Sequence, residues 1–246
     1  LTDFFDHSIW RKDISVQAPA GSTAEQTVEL PPDPQRRGFL KLHAVLAYGD
    51  VRTEQSMRLA AVPVYTGNDS RFGVNHAYPW PHLLDLCRKA GLIWVRDWSL
   101  KWQTIEPEKG QFDFTETDYQ INRPLEHGLK VLGLLPFPSS NWASTAPAAE
   151  RNGNSYEARR GVVAYAPRDE IDFSRYVART VSHYEDRVRW WQVFNEPVFT
   201  SYSLPRAKGY TGADYGRWTK AFARAARDAD PQCRILAGMG YLSEGQ

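Results

Sequence analysis

The stretch Arg189-Trp190-Trp191-Gln192-Val193-Phe194-Asn195-Glu196-Pro197 decides how this sequence folds. Its aromatic, apolar centre suits a buried pleated strand, and Pro197, with a fixed φ and no N–H, ends regular pairing just past Glu196. Asn195 and Glu196 therefore stand together where a strand becomes a loop. In parallel α/β architectures that carboxyl edge is where ligands bind. Trp190 and Trp191 fall on opposite faces of the strand, one toward a sheet interior and one toward a helix.

Strand and helix signals alternate on both sides of this stretch. Residues 72–75 read as a first strand, followed by a helix over 80–90 with Gly91 just past its end, and residues 92–97 as a second strand. Thr115, with Asp118 three residues on, reads as the N-cap of a helix that stops near Gly128. Residues 130–135 are a third strand, and Phe173, Tyr176, Val177, Thr180, Val181 and Tyr184 recur at helical spacing. Residues 189–194 form the fourth strand. Thr211 then caps a helix with Tyr215, Trp218, Phe222 and Ala225 as its stripe, and 234–238 is a fifth strand. No Gly-x-Gly-x-x-Gly or Walker loop follows the first strand, so the α/β pattern predicts a (β/α)8 TIM barrel rather than a nucleotide-binding sheet. Residues 67–246 hold only five of its strands, in roughly 180 residues against about 250 for a whole barrel. The expectation is a barrel domain that stops three βα units early: a fragment, an incomplete sequence, or a nicked protein whose C-terminal part is a separate chain.

Residues 1–66 read differently. Short β-like runs at 14–17, 27–30, 39–47 and 58–64 are separated by Pro19-Ala20-Gly21, Pro31-Pro32-Asp33-Pro34 and Tyr48-Gly49-Asp50, which predicts a small all-β, sandwich-like accessory domain. Four strands make a thin module, so it packs on its neighbour or lacks earlier strands. Within the barrel, the connection 136–170 far exceeds the usual two to six residues; its aromatic start predicts a cleft wall and 150–160 a mobile segment.

Composition excludes several partners. With 246 residues, 42% of them hydrophobic and 13% aromatic, the chain can bury a full core in one or two domains. No apolar run approaches the roughly 18 residues that span a bilayer, so no membrane is expected, and a start at Leu1 without a basic-then-apolar leader reads as processed or trimmed. Thirty basic against 29 acidic residues leave a charge of +1, so nucleic acid is not expected either. Cys87 and Cys233 have no companions at metal-ligand spacing; no metal and no other cofactor is expected. One sequon, Asn68-Asp69-Ser70, permits glycosylation, and a secreted, periplasmic or lysosomal setting is favoured over the cytoplasm.

Breaking a glycosidic bond takes one carboxylic acid to protonate the leaving oxygen and a second carboxylate to attack the sugar or activate water. Glu196 suits the first role, since a glutamic acid packed against Trp and Phe surfaces is kept protonated near neutrality by desolvation. The Asn195 amide, donor and acceptor at once, suits a sugar hydroxyl. On residue chemistry alone the same tripeptide also reads as a loop N-cap or a surface carboxylate.

At Val193-Phe194-Asn195-Glu196-Pro197 the sequence resembles the clan A glycoside hydrolases, whose fourth barrel strand ends in Asn-Glu. The stretch Val95-Arg96-Asp97-Trp98, followed by Trp102-Gln103-Thr104-Ile105-Glu106-Pro107-Glu108-Lys109-Gly110-Gln111-Phe112-Asp113-Phe114, looks like the second-strand Arg and the segment behind it in several of these families, and Gly128-Leu129-Lys130-Val131 is also similar. Families 39, 5 and 42 are all comparable, and the likeness covers most of residues 71–239. It implies a retaining hydrolase of β-glycosidic bonds in an oligo- or polysaccharide, with Glu196 as acid/base, Asn195 on the sugar 2-hydroxyl and Arg96 orienting the nucleophile. His76 ends the first strand facing the cleft, where a hydrogen-bonded structural histidine is the other reading. Trp98, Phe137, Trp142 and, beyond strand five, Tyr241 offer rings to the C–H faces of a sugar, with core packing as the alternative. The clan's nucleophile is a Glu ending the seventh strand, outside this chain; Glu244, soon after strand five, and Asp97, at the end of strand two, could each be proposed as a second carboxylate, with surface or structural roles the favoured reading. The isolated chain is therefore expected to be inactive. A non-catalytic carbohydrate-binding barrel is the alternative reading.

Overall fold

The computed structural model describes residues 1–31, 33, 37–76 and 79–238. The chain divides into two compact units, Leu1–Val64 and Tyr65–Gln246.

In the first unit, β1 (Gly38–Tyr48) and β2 (Val51–Ala61) form an antiparallel pair in which Tyr48 faces Val51 and Gly38 faces Ala61. Gly49, at φ 55, makes the two-residue turn possible, because a left-handed backbone costs glycine nothing. The expected run 39–47 is thus a strand. The run expected at 58–64 instead starts at Val51, since pairing begins directly across the turn. Residues 14–17 and 27–30 form no strand, and no sandwich is found among the described residues. Ile14, Val16, Val28 and Leu30 are all exposed, and alternating apolar residues become a strand only where a second surface covers them.

The second unit is built on β3 (Gly73–Asn75), β4 (Trp94–Asp97), β5 (Lys130–Leu135), β6 (Trp190–Val193) and β7 (Arg234–Ala237). All are parallel, and their order in the sheet is their order in the chain, the arrangement expected of successive βα units in a barrel. Between them run α1 (Pro81–Lys89), α2 (Trp102–Ile105), α3 (Thr115–Glu126), α4 (Tyr156–Val163), α5 (Glu170–His183) and α6 (Gly212–Ala229). Thr115 is the first residue of α3 rather than its cap; its N–H donates to the Asp113 carboxylate (2.8 Å), which does the capping from two residues upstream. Thr211 does cap α6, its N–H and hydroxyl both donating to Asp214 (2.8 Å each). Among the described residues no helix is long and apolar enough to cross a membrane.

The strand faces differ. Val131, Leu135, Trp191 and Val193 point to the helices and join Phe173, Tyr176, Val177 and Val181 of α5 and Trp218, Phe222 and Ala225 of α6 in one buried cluster. The opposite, concave face carries Trp94, Leu132, Trp190 and Leu236, with the Trp94 and Trp190 rings edge to face at 5.7 Å. Trp191 is therefore the helix-facing tryptophan and Trp190 the inward one.

The long loops leave the carboxyl ends of β5 and β6. The first is held rather than loose. Arg151 donates from Nε to Ala146 O (2.9 Å), from Nη1 to Asn141 O (2.7 Å) and from Nη2 to Ser144 O, which also accepts from Arg168 Nε (2.8 Å). Within the expected mobile segment α4 forms instead: Ser155 accepts from Ala158 N–H at its start, and Val162 and Val163 are buried at its end.

Candidate active site

The end of β6 is fixed against β5 by two backbone bonds, Phe194 N–H to Leu135 O and Asn195 N–H to Pro136 O, each 3.0 Å. Phe194 is fully buried, 5.9 Å from the Phe173 ring and 6.3 Å from Tyr215. The chain then takes an unusual path: Phe194, Glu196 and Val198 have φ of 52, 44 and 73, left-handed values that side chains with a Cβ rarely adopt. This zigzag turns Asn195 inward, leaving it buried, and puts the Glu196 carboxyl out into a cleft of about 540 Å³. Glu196 is exposed, not packed against the Trp and Phe surfaces the sequence suggested.

Arg96 organises the floor of the cleft. Its Nε donates to Gln192 Oε1 (2.7 Å), Nη1 to Asn75 Oδ1 (3.0 Å) and Nη2 to Asn195 Oδ1 (3.0 Å). Burial pushes the guanidinium pKa below its ordinary value, and the neighbouring Glu196 charge opposes that shift. His76, at φ 57, follows directly on β3 and stands edge-on to Trp98 at 4.7 Å. Burial, then the positive charges of Arg96 and Lys101, push its pKa down, which favours the neutral imidazole.

Trp98 and Tyr202 form the aromatic wall, edge to face at 5.8 Å, with Arg160 4.6 Å over the Tyr202 ring. Tyr156, exposed at the start of α4, lines the same cleft. Phe137 is buried behind this wall, 6.0 Å from Trp98, so it supports the cleft rather than lining it. Trp142 lies elsewhere. Its Nε1 donates to Glu106 O (2.9 Å), and its ring packs on Trp102 at 5.5 Å. Tyr241 and Glu244 lie outside the described residues.

The Trp102–Glu106–Gly110 part of the second motif is structural. The fully buried Glu106 carboxylate accepts from Trp102 Nε1 (2.7 Å), Gly110 N–H (2.6 Å) and Arg175 Nη2 (3.0 Å), so its charge is met by three donors. Asp97 sits on the opposite side of β4 from Arg96, buried, its Oδ2 accepting from Ser99 N–H and hydroxyl (2.9 Å each); burial pushes its pKa up to about 6 against those bonds. It is no partner for Glu196 across the cleft. No group of three or more metal-ligating side chains occurs among the described residues.

Sequence reasoning missed Gln192, Tyr156 and Tyr202 as cleft residues. Gln192 had a signal, since alternation along β6 puts it on the same face as Trp190. The two tyrosines had none, because only the fold of their loops brings them to the cleft.

Residues 86–238 match the sequence profile of glycosyl hydrolase family 10. The chain belongs to that family. The matched span runs from late in α1 through β7 and includes Arg96, Gln192, Asn195 and Glu196. Among curated proteins, endo-1,4-beta-xylanase 3 of Hypocrea jecorina is 28% identical over 137 residues, covering 56% of this chain and 35% of that protein. Beta-glucosidase 47 of Arabidopsis thaliana is 30% identical over 155 residues, covering 62% and 26%. The family 10 chain thus spans only about a third of the length of the curated relatives it matches. Among solved structures, a family 39 glycoside hydrolase from the gut symbiont Bacteroides cellulosilyticus WH2 superposes with a TM-score of 0.59 at 18% identity, covering 82% of this chain and 39% of that one. At that identity the likeness shows the fold alone, that of the TIM-barrel glycoside hydrolases, of which the five parallel strands are one part.

Proposed function

We propose that this family 10 chain carries the acid/base half of a retaining glycosidase that cleaves β-1,4 bonds in a xylan-type polysaccharide. The observation that carries the reading is the pairing at the end of β6: Glu196, exposed in the cleft, beside Asn195, whose amide is tied to Arg96. Glu196 protonates the glycosidic oxygen as the bond breaks and then, as a carboxylate, takes a proton from the water that attacks the sugar–enzyme ester. Asn195 holds the 2-hydroxyl of the reacting sugar. His76 and Trp98 shape the floor and wall against which the ring lies, the indole face offering an apolar surface to its C–H groups. Glu196 is the one carboxyl group lining this cleft among the described residues. The nucleophile is accordingly assigned outside them, with its carboxyl group about 5 to 5.5 Å from that of Glu196, the separation of a retaining pair. The xylan preference follows the name of the Hypocrea jecorina relative.

The test uses protein made from the complete reading frame, assayed on xylan, on aryl β-xylosides and on aryl β-glucosides. Glu196→Ala is expected to lower kcat/KM on xylan by about 10²- to 10⁴-fold, the usual worth of general acid–base catalysis. Azide, entering the space left by the carboxyl group, is expected to restore turnover of the activated aryl substrates as glycosyl azide. Unchanged activity in Glu196→Ala would remove the assignment, and hydrolysis of glucosides alone would replace the substrate.

A further inference from the structure

Arg96 commits three of its N–H groups to neutral amide oxygens that arrive from different places: Asn75 at the end of β3, Gln192 within β6 and Asn195 in the loop after it. A guanidinium is a rigid planar fork, so holding Nε and Nη1 sets the direction of Nη2. Nη2 in turn decides how the Asn195 amide lies. An amide oxygen bonded to a cation forces the NH2 group to the other side. Asn195 is buried and its backbone N–H is already bonded to Pro136 O (3.0 Å), so its side chain has little freedom apart from that choice. It also lines the cleft, and its NH2 has no hydrogen-bond partner among the described residues. The other end of the Gln192 amide, Nε2, lies 3.5 Å from Phe194 O, which keeps Oε1 turned toward Arg96.

We propose that Gln192 is a positioning residue: acting through Arg96, it orients the Asn195 amide so that its NH2 donors face the sugar 2-hydroxyl. The inference rests on the glycosidase reading above.

The experiment is a substrate cycle with protein from the complete reading frame. The ratio of kcat/KM for an aryl β-glycoside to that for its 2-deoxy analogue is measured in wild type, Gln192→Leu and Gln192→Glu. Gln192→Leu, which frees Arg96 Nε, is expected to lower the ratio roughly ten- to a hundredfold, the usual worth of a hydrogen bond to a charged group. Gln192→Glu keeps an oxygen for Nε and is expected to keep the ratio within about threefold. Should Gln192→Leu fail to fold, Asn75→Ala removes the Nη1 acceptor at the exposed end of β3, and its ratio is expected to fall in the same direction. Equal losses on the two substrates would show a general structural role and overturn the inference, as would an unchanged ratio. Wild-type protein that turns over neither substrate would instead sink the glycosidase reading on which the inference stands.

Discussion

Strand β6 shows two different surfaces. Toward α5 and α6, Trp191 and Val193 are fully buried in a cluster that spans both helices. Toward the concave side, Trp190 and Gln192 are half-buried, and Trp190 lies with Trp94, Leu132 and Leu236 around a cavity of about 420 Å³. Residues one apart in sequence therefore serve different ends. The helix side holds the unit together, and the concave side carries Arg96, Gln192 and Asn195 to the cleft.

The largest effect expected from this contrast is on Trp191. Trp191→Ala empties a fully buried site and should cost about 3–5 kcal/mol, whereas Trp190→Ala, at a half-open site, should cost less than half as much. Urea unfolding of both variants measures the difference; equal losses would break the contrast. Next comes Asp97, a carboxyl group buried on the helix side of β4. Its folded pKa of about 6 lies above its ordinary 3.8, so protonation favours the folded state. The stability this contributes is fully present below about pH 3.8 and is lost as the pH rises to about 6, a change of about 3 kcal/mol. Asp97→Asn should flatten that part of the unfolding-against-pH curve, and a curve of the same slope in the variant would assign the slope elsewhere. The smallest effect is at Gly133. A Cβ there would meet the Trp191 ring at 2.8 Å, so Gly133→Ala should cost about 1–3 kcal/mol through overpacking on the helix side alone. In protein from the complete reading frame, a loss of the proposed glycosidase activity in excess of the loss of folded protein would show that the two faces are coupled.

Much of the barrel was legible because each strand is a short apolar run closed by Gly, Pro or a polar pair, and because the α5 and α6 stripes recur at helical spacing. Residues 130–135 were read to the residue. What escaped depended on neighbours distant in sequence. The cap of α3 comes from Asp113, not from Thr115, whose spacing to Asp118 suggested a capping box. The segment 150–160 looks polar and loose, yet Arg151 ties the loop through three carbonyls and α4 is anchored by Val162 and Val163. In the first unit, the runs at 14–17 and 27–30 have strand composition but no surface to cover them. At the site, Asn195, Arg96, His76 and Trp98 stand at or just beyond strand ends, which can be located in sequence, and the fold brings them to one cleft. Trp142 was misplaced toward the cleft because an aromatic residue early in a long loop gives no sign that its Nε1 will reach back to Glu106.

The alternating left-handed residues Phe194, Glu196 and Val198 carry a consequence for how this family 10 chain can change. Each holds a conformation that costs on the order of 1 kcal/mol and that glycine would relieve, Val198 most of all because its Cβ is branched. Selection for heat resistance alone would therefore favour glycine at these positions. Every gain made there would loosen the turn that sets Glu196 in the cleft, so durability and the proposed chemistry pull this short piece of backbone in opposite directions.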